Sequence, residues 1–439
     1  MSLSDDNPKR YIRIGALREL LSNSLWFIPM LLVLTYGLAA ELLVTHDRSM
    51  TEWVPYAFSG GPSSAQDLLS TIAAAILTMS TLVLSVTIVA LQLASQQFSP
   101  RVMRAFFRDS GTKVAIGMLL GTFVYSLVVL RAVVPETATL DPFVPGAAVS
   151  VGFLLTLVAL GMFIYYINHV AHSIRVVYIV DAVASETRGA IGRMMIGGSV
   201  PDPAAIPSRP PDHVVPNARN AGLVTDVDTA GLVGLARLHH CCIGVVPHVG
   251  DFVPHGAPIA RVWHDPGHDD CPTASQICER LALSKERTMS QDVAFGFRQL
   301  VDIAERALSP AVNDPTTAVQ AIDQIHDLLR RLVGASFPTG YYGDADGALR
   351  AFRPMHTWDD YVEVAFTEIR RYGHDSLQVH RRLRAAIADL LEVAGDDDTF
   401  TEPLIEQRRR LDRSARDGLP DSADRRLAMQ GDEQGLGAD

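Results

Sequence analysis

Lysine is almost absent from this sequence. Of 38 basic residues in 439, only Lys9, Lys113 and Lys285 are lysines. We read the bias as composition, with arginine in lysine's place, and not as a phosphate-binding signal. No lysine falls between His213 and His264, so that stretch cannot carry a cofactor attached through lysine. Cysteine is scarce too. Cys241, Cys242, Cys271 and Cys278 are the only four, all in a part expected in the cytosol, where thiols stay reduced, so no disulfide framework is expected. Positive charge runs short in the second part of the chain. Residues 200–439 carry 25 Lys and Arg against 37 Asp and Glu, whereas residues 1–199 carry 13 against 12. So acidic a soluble part excludes nucleic acid as its partner, because phosphate binding needs a basic surface. A nucleophile motif, a phosphate loop and paired metal ligands at helical spacing are all missing. No enzyme activity, catalytic residue, metal or cofactor is therefore expected.

What is present is hydrophobic length. Ser24–Val44, Leu68–Ala94, Val114–Val134 and Gly146–Asn168 each offer about 20 largely apolar residues, enough to cross a bilayer as helix. Their interiors lack Lys, Arg and Asp, the usual marks of ion coupling, while Glu41 and Arg131 sit near ends. The first span is too long for a signal-peptide core and reads as uncleaved. Basic residues set the orientation. Lys9, Arg10, Arg13 and Arg18 precede span one. Arg101, Arg104, Arg108 and Lys113 lie between spans two and three, and Arg175, Arg188 and Arg193 follow span four. The two opposite loops hold only Arg48 and Arg131. The positive-inside rule then puts both termini in the cytoplasm. Trp26, Trp53, Tyr165 and Tyr166 suit an aromatic interface belt.

Span two carries Thr71, Thr78, Ser85 and Gln92 at seven-residue intervals, with Ala74, Thr81 and Ser95 beside them. Such a stripe can line a hydrated path in an oligomer. It can equally let helices approach closely and hydrogen-bond in a packed bundle. After it, Ser99-Pro100 starts a basic helix whose Arg101, Arg104 and Arg108 face lipid headgroups, or simply satisfy the positive-inside rule.

Residues 1–199 are read as the transmembrane domain with a helical extension, 200–212 as linker, and 213–272 as a small β-rich unit. Residues 273–395 are read as helical, and 396–439 as a charged, largely disordered tail. Val249–Val262 looks similar to the hairpin of lipoyl- and biotinyl-type folds. His239-His-Cys-Cys242 with His248, His255, His264, His268 and Cys271 is rich in metal-ligand types, but its spacing matches no zinc pattern. Thr288 and Gln291 predict a helix start, and the helix carries Asp292, Arg298, Gln299, Asp302 and Arg306. Asp314-Pro315 predicts a second start, and Thr357-x-x-Asp360 and Ser376 two more, closed by Gly373 and Gly395. Arg287, Asn313, Asp314 and Thr317 complete a polar group that serves either as ligand or interface site or simply as the frame of an αα-hairpin.

Gln-Phe-Ser-Pro-Arg (97–101), Gly-Asp-Phe-Val (250–253) and Glu-Arg-Thr (286–288) occur in order. Phe-Gly-Phe-Arg-Gln-Leu-Val-Asp-Ile-Ala (295–304), Ala-Leu-Ser-Pro (307–310) and Asn-Asp-Pro-Thr-Thr-Ala (313–318) follow. This combination resembles the bacterial predicted membrane proteins grouped as domain of unknown function 2254, over roughly residues 10–400. The resemblance implies an inner-membrane location and no known activity. The expected fold is an α-helical membrane protein with four spans plus an α+β cytoplasmic C-terminal domain. The expected function is an oligomeric, channel-like conduit, a homo-oligomer in the lipid bilayer. The alternative is a membrane-anchored ligand-binding or sensor protein.

Overall fold

The computed structural model describes residues 26–50, 58–97, 109–135, 142–173, 175–195 and 206–433. The basic segment with Arg101, Arg104 and Arg108, Trp53 and most of the 200–212 linker lie outside these residues. The chain forms two compact units, Met1–Ile179 and Val180–Asp439. The boundary expected at 199 thus falls earlier, inside a helix.

The first unit holds α1 (Phe27–Met50), α2 (Pro62–Gln97), α3 (Ser110–Ala132) and α4 (Gly146–Ser173). All four are long and apolar enough to cross a membrane, over Phe27–Asp47, Pro62–Gln92, Ser110–Ala132 and Gly146–His172. Helix α3 packs against each of the other three. It can do so against α1 because Gly117 and Gly121 are one turn apart on the contact face. A Cβ on Gly117 would stand 2.6 Å from Leu32 Cδ1 and 2.9 Å from Pro29 Cα, and one on Gly121 would touch the Tyr36 ring at 3.0 Å. Small residues at this spacing let helix backbones approach where no hydrophobic driving force is available. Polar groups inside the bundle are paired. The Tyr125 hydroxyl donates to Ala148 O at 2.8 Å, and Tyr166 and Thr87 share a hydrogen bond of 2.5 Å. Buried Asp47 accepts the Ala147 N–H at 2.9 Å, satisfying a donor at the start of α4. Glu41 and Arg131 pair at 3.0 Å on the exposed surface.

The second unit takes up α5 (Val176–Met194) from Val180 onward and then β1 (His213–Pro216) and β2 (Gly222–Val227). Next come α6 (Thr229–Leu238), β3 (Cys241–Val245), β4 (Phe252–Val253) and β5 (Pro258–His264). After these follow α7 (Ala274–Cys278) and β6 (Leu281–Ser284). A five-stranded sheet has the order β1-β5-β3-β8-β7 and a three-stranded one β4-β2-β6, where β7 is Tyr341–Gly343 and β8 Leu349–Phe352. Helix α6 packs on β3 and β8, closing a core of Val224, Leu232, Ile243, Ile259 and Val262. The segment 249–262 is not a hairpin. Strand β4 pairs with β2, while β5 lies between β1 and β3. Nor does a boundary fall at 272/273, because β6, β7 and β8 from the expected helical part complete both sheets.

The helical layer is α8 (Val293–Ala307), α9 (Pro315–Leu332), α10 (Trp358–Tyr372), α11 (Leu377–Ala394), α12 (Asp398–Gly418) and α13 (Ser422–Ala428). The caps at Asp314, Thr357 and Ser376 and the ends at Gly373 and Gly395 are as expected. Helix α8 departs from expectation, since Asp292 is its N-cap, accepting the Phe295 N–H at 2.9 Å. Gln291 instead turns to Asp226, Val227 and Arg353. The expected disordered tail is also corrected. Asp398–Gly418 and Ser422–Ala428 are helical, and Phe400, Leu404, Leu411 and Ala415 bury one face of α12 against α10 and α11.

The close α1–α3 approach is testable. Gly117→Val overpacks it and should destabilise the bundle by about 1–3 kcal/mol. Gly161, with open space around its Cα, is the control. Thermal unfolding in detergent should show a clear drop in Tm for Gly117→Val and a smaller one for Gly161→Val.

Candidate functional site

The hydroxyl row of α2 faces outward. Thr71, Thr78, Ser85 and Gln92 are all exposed, whereas Leu69, Ile72, Ile76 and Val83 fill the bundle interior. Thr71 donates to Asp67 O at 2.7 Å and Thr78 to Ala74 O at 2.9 Å, so these two hydroxyls are satisfied within their own helix. Leu82 and Val89 share the exposed face. The row therefore lines no path inside this single bundle.

Three motifs that lie apart in sequence converge in the second unit. Gly250, at φ +98°, turns the chain so close that a Cβ would stand 2.4 Å from Arg287 Nη2 and 2.5 Å from Asp292 Oδ2. Only glycine offers both that backbone and that space. Arg287 donates to Asp292 Oδ2 through Nε at 2.9 Å and Nη2 at 2.7 Å, and lies over the Phe295 ring. Burial pushes the Asp292 carboxyl up, against the opposing pull of Arg287. His356 stacks on His248 at 5.0 Å, and burial pushes its imidazole down.

The rest of the hairpin group divides. Asp314 accepts the Thr317 N–H at 3.1 Å and its hydroxyl proton at 2.6 Å, after Asn313 takes a left-handed φ of 48° that Asn tolerates. Gln299 is buried, and Arg306 and Asn313 are exposed. Arg298 is a hub. It donates to Asp302 at 2.6 Å, to Glu305 at 3.1 Å and to Glu368 of α10. Burial and the hydrogen bond with Glu368 push the Glu305 carboxyl up to about 7. The structure thus brings Arg287 to Asp292, Arg298 to Asp302, and Asp314 to Thr317 as internal partners.

Sequence reasoning missed an arginine-lined cavity of about 600 Å³ between α10 and α12, bounded by Arg370, Arg371, His374, Arg410, Arg413 and Asp417. Burial and the neighbouring Arg410 push the Arg370 guanidinium down, and its Nε is buried with no hydrogen-bond partner among the described residues. Glu363 and Glu406 hold Arg410 at 3.0 Å each. The signal that would have revealed this cavity is the helical spacing of Phe400, Leu404, Leu411 and Ala415, masked by the charge around it.

Four apolar helices long enough to span a bilayer, followed by an α+β unit, define a class of multi-pass membrane protein. The family described as "Predicted membrane protein (DUF2254)" matches residues 22–389, and this chain belongs to it. Similar proteins include an uncharacterized protein of Mycobacterium bovis and one of Mycobacterium tuberculosis. Each is 32% identical over 367 residues, covering 82% of this chain and 70% of the relative. No solved structure matches the chain. The family match ends inside α11, so Arg410 and Arg413 lie beyond it.

Two outcomes are expected from this geometry. Asp314→Ala removes an N-cap and should cost about 0.5–2 kcal/mol, read as a lower Tm of the full chain. For Glu305 the folded-state value lies above the ordinary glutamate value, so the folded form holds its proton in that window. Stability should then fall as pH rises from about 4.5 towards 7, and Glu305→Gln should flatten that fall in a pH series of thermal melts. Glu368, held low by its hydrogen bond with Glu305, acts below that window.

Proposed function

We propose that this chain is an oligomeric, channel-like protein of a bacterial inner membrane. Its termini and second unit lie in the cytoplasm, where that unit regulates a path formed between copies. The observation that carries this reading is the outward-facing row of Thr71, Thr78, Ser85 and Gln92. A glutamine amide has two donors and two acceptor sites, more than a helix carbonyl one turn away can satisfy. In a lone bundle the row would face acyl chains, where unsatisfied polar groups are costly. Between copies it would face water or its own symmetry mates. Because the bundle interior is filled, a path needs more than one copy. A second reading, a membrane-anchored ligand-binding protein without transport, is favoured by the arginine-lined cavity of about 600 Å³.

Thiol labelling separates the two. Cys241, Cys242 and Cys278 are buried, and burial pushes the first two thiols up to about 12, so Cys271→Ala suffices as a quiet background. In membranes, Ser85→Cys should react with a water-soluble reagent about as fast as Gln92→Cys, while exposed Leu154→Cys on α4 stays protected. Labelling that decays from both ends and vanishes at Thr78 and Ser85, with a monomeric mass in detergent, favours the second reading instead.

A further inference from the structure

The histidine- and cysteine-rich surface of the five-stranded sheet holds a grouping that the sequence spacing does not display. His213 opens β1 and His264 closes β5. The register sets His213 opposite Val262, which places His213 and His264 diagonally on one face of the antiparallel pair. Their rings meet edge-on with centroids 5.2 Å apart. The chain then loops through 265–270 and returns Cys271 to the same place. One ligand atom from each of His213, His264 and Cys271 lies within 4.8 Å of the other two.

An independent observation points to a ligand there. Both ring nitrogens of His264 are shut off from solvent and have no hydrogen-bond partner among the described residues. A buried imidazole ordinarily has at least one nitrogen bonded, because leaving a buried polar atom unsatisfied costs about 1–3 kcal/mol. The His264 backbone, by contrast, is fully engaged. Its N–H donates to Asp212 at 2.8 Å and its carbonyl accepts from Arg209 at 2.7 Å. Arg209 pairs with Asp212 at 2.6 Å, and its own carbonyl accepts the Trp263 indole N–H at 2.9 Å. The strand end is thereby fixed, which aims the ring without using its nitrogens. Of the neighbouring histidines, His239 uses Nδ1 to bond Asp270 at 2.8 Å and leaves only Nε2 buried and unbonded, and His240 stacks on His268 at 4.2 Å. His264 alone of these has both ring nitrogens buried and unbonded among the described residues.

We propose that His213, His264 and Cys271 form a binding site for a divalent transition metal of the zinc class. Two imidazole nitrogens and one thiolate are a borderline-soft donor set that suits zinc or cobalt and not calcium or magnesium, which take oxygen ligands. Three protein ligands leave a fourth tetrahedral position for water or an incoming ligand. Cys241, opposite His264 on β3, lies in the hydrophobic core and does not join the group. Binding would tie the loop 265–270 to the β1–β5 edge. This site is independent of the path proposed above and survives if that reading fails.

Cobalt titration of the full chain in detergent, after chelator treatment, tests the site. Stoichiometric binding should bring visible ligand-field bands and a thiolate-to-cobalt charge-transfer band, both displaced by zinc. Cys271→Ser should remove the charge-transfer band, and His213→Ala or His264→Ala should weaken binding more than about 100-fold, beyond what loss of an outer-shell partner costs. In the unsubstituted chain, zinc should slow alkylation of Cys271, a readout that needs no variant to fold. The proposal is overturned if cobalt does not bind stoichiometrically or if the charge-transfer band survives Cys271→Ser. It is equally overturned if His239→Ala and His268→Ala abolish binding while the triad variants do not, or if zinc leaves Cys271 alkylation unchanged.

Discussion

The carboxylate of Asp292 holds the second unit together, because it serves three elements at once. One oxygen caps α8 through the Phe295 N–H, the other receives two donors from Arg287, and the Gly250 turn closes over both. A carboxylate 1% exposed is tolerable only when its lone pairs are filled in this way. The helical layer and the three-stranded sheet are therefore joined by a charge that neither could bury alone. Gly250 follows from that constraint, since any side chain there would displace the arginine. The Gly-Asp-Phe-Val and Glu-Arg-Thr motifs are two sides of one contact, which explains their joint presence without any appeal to chemistry.

Helix starts and stops were legible where the controlling group lies within four residues. Asp314-Pro315, Thr357 with Asp360, and Gly373 announce themselves because capping is local. Thr288 and Gln291 imitate the same signal, yet Asp292 wins, because Arg287 and burial make its carboxylate the better-placed acceptor and Asp226 captures Gln291. Strand partners were not legible. Val249–Val262 has the alternation and glycines of a hairpin, but its two strands enter different sheets, a choice made by distant residues. Helix α12 was hidden for a different reason. Its apolar residues are spaced for one buried face, but arginines and acids crowd the other until the average resembles a solvated tail.

In the first unit the sequence period located the hydroxyl row, but not the direction it faces. That direction depends on which side of α2 the other helices take, and they take the side of Ile72, Ile76 and Val83. The candidate sites share this difficulty. Arg370 and Arg410 come from helices 40 residues apart in the chain, and His213 and Cys271 from opposite ends of a sheet segment. Pairing in space, not spacing in sequence, assembles them.

One sheet contact bears on the birth of the molecule. Strand β3 pairs in parallel with β8, Ile243 against Ala351, and everything from β4 to β7 lies between them in the chain. On a ribosome, β1, β5 and β3 can associate as soon as β5 emerges, since their pairing is antiparallel and close in sequence. The free edge of β3 must then wait until the hairpin of α8 and α9 and the β7–β8 ribbon have been made. Until then it is an open edge beside a hydrophobic core, the kind of surface that invites pairing with another nascent chain. Conditions that slow synthesis between residues 265 and 350 should therefore lengthen exposure of that edge, and chaperone capture is expected to concentrate there.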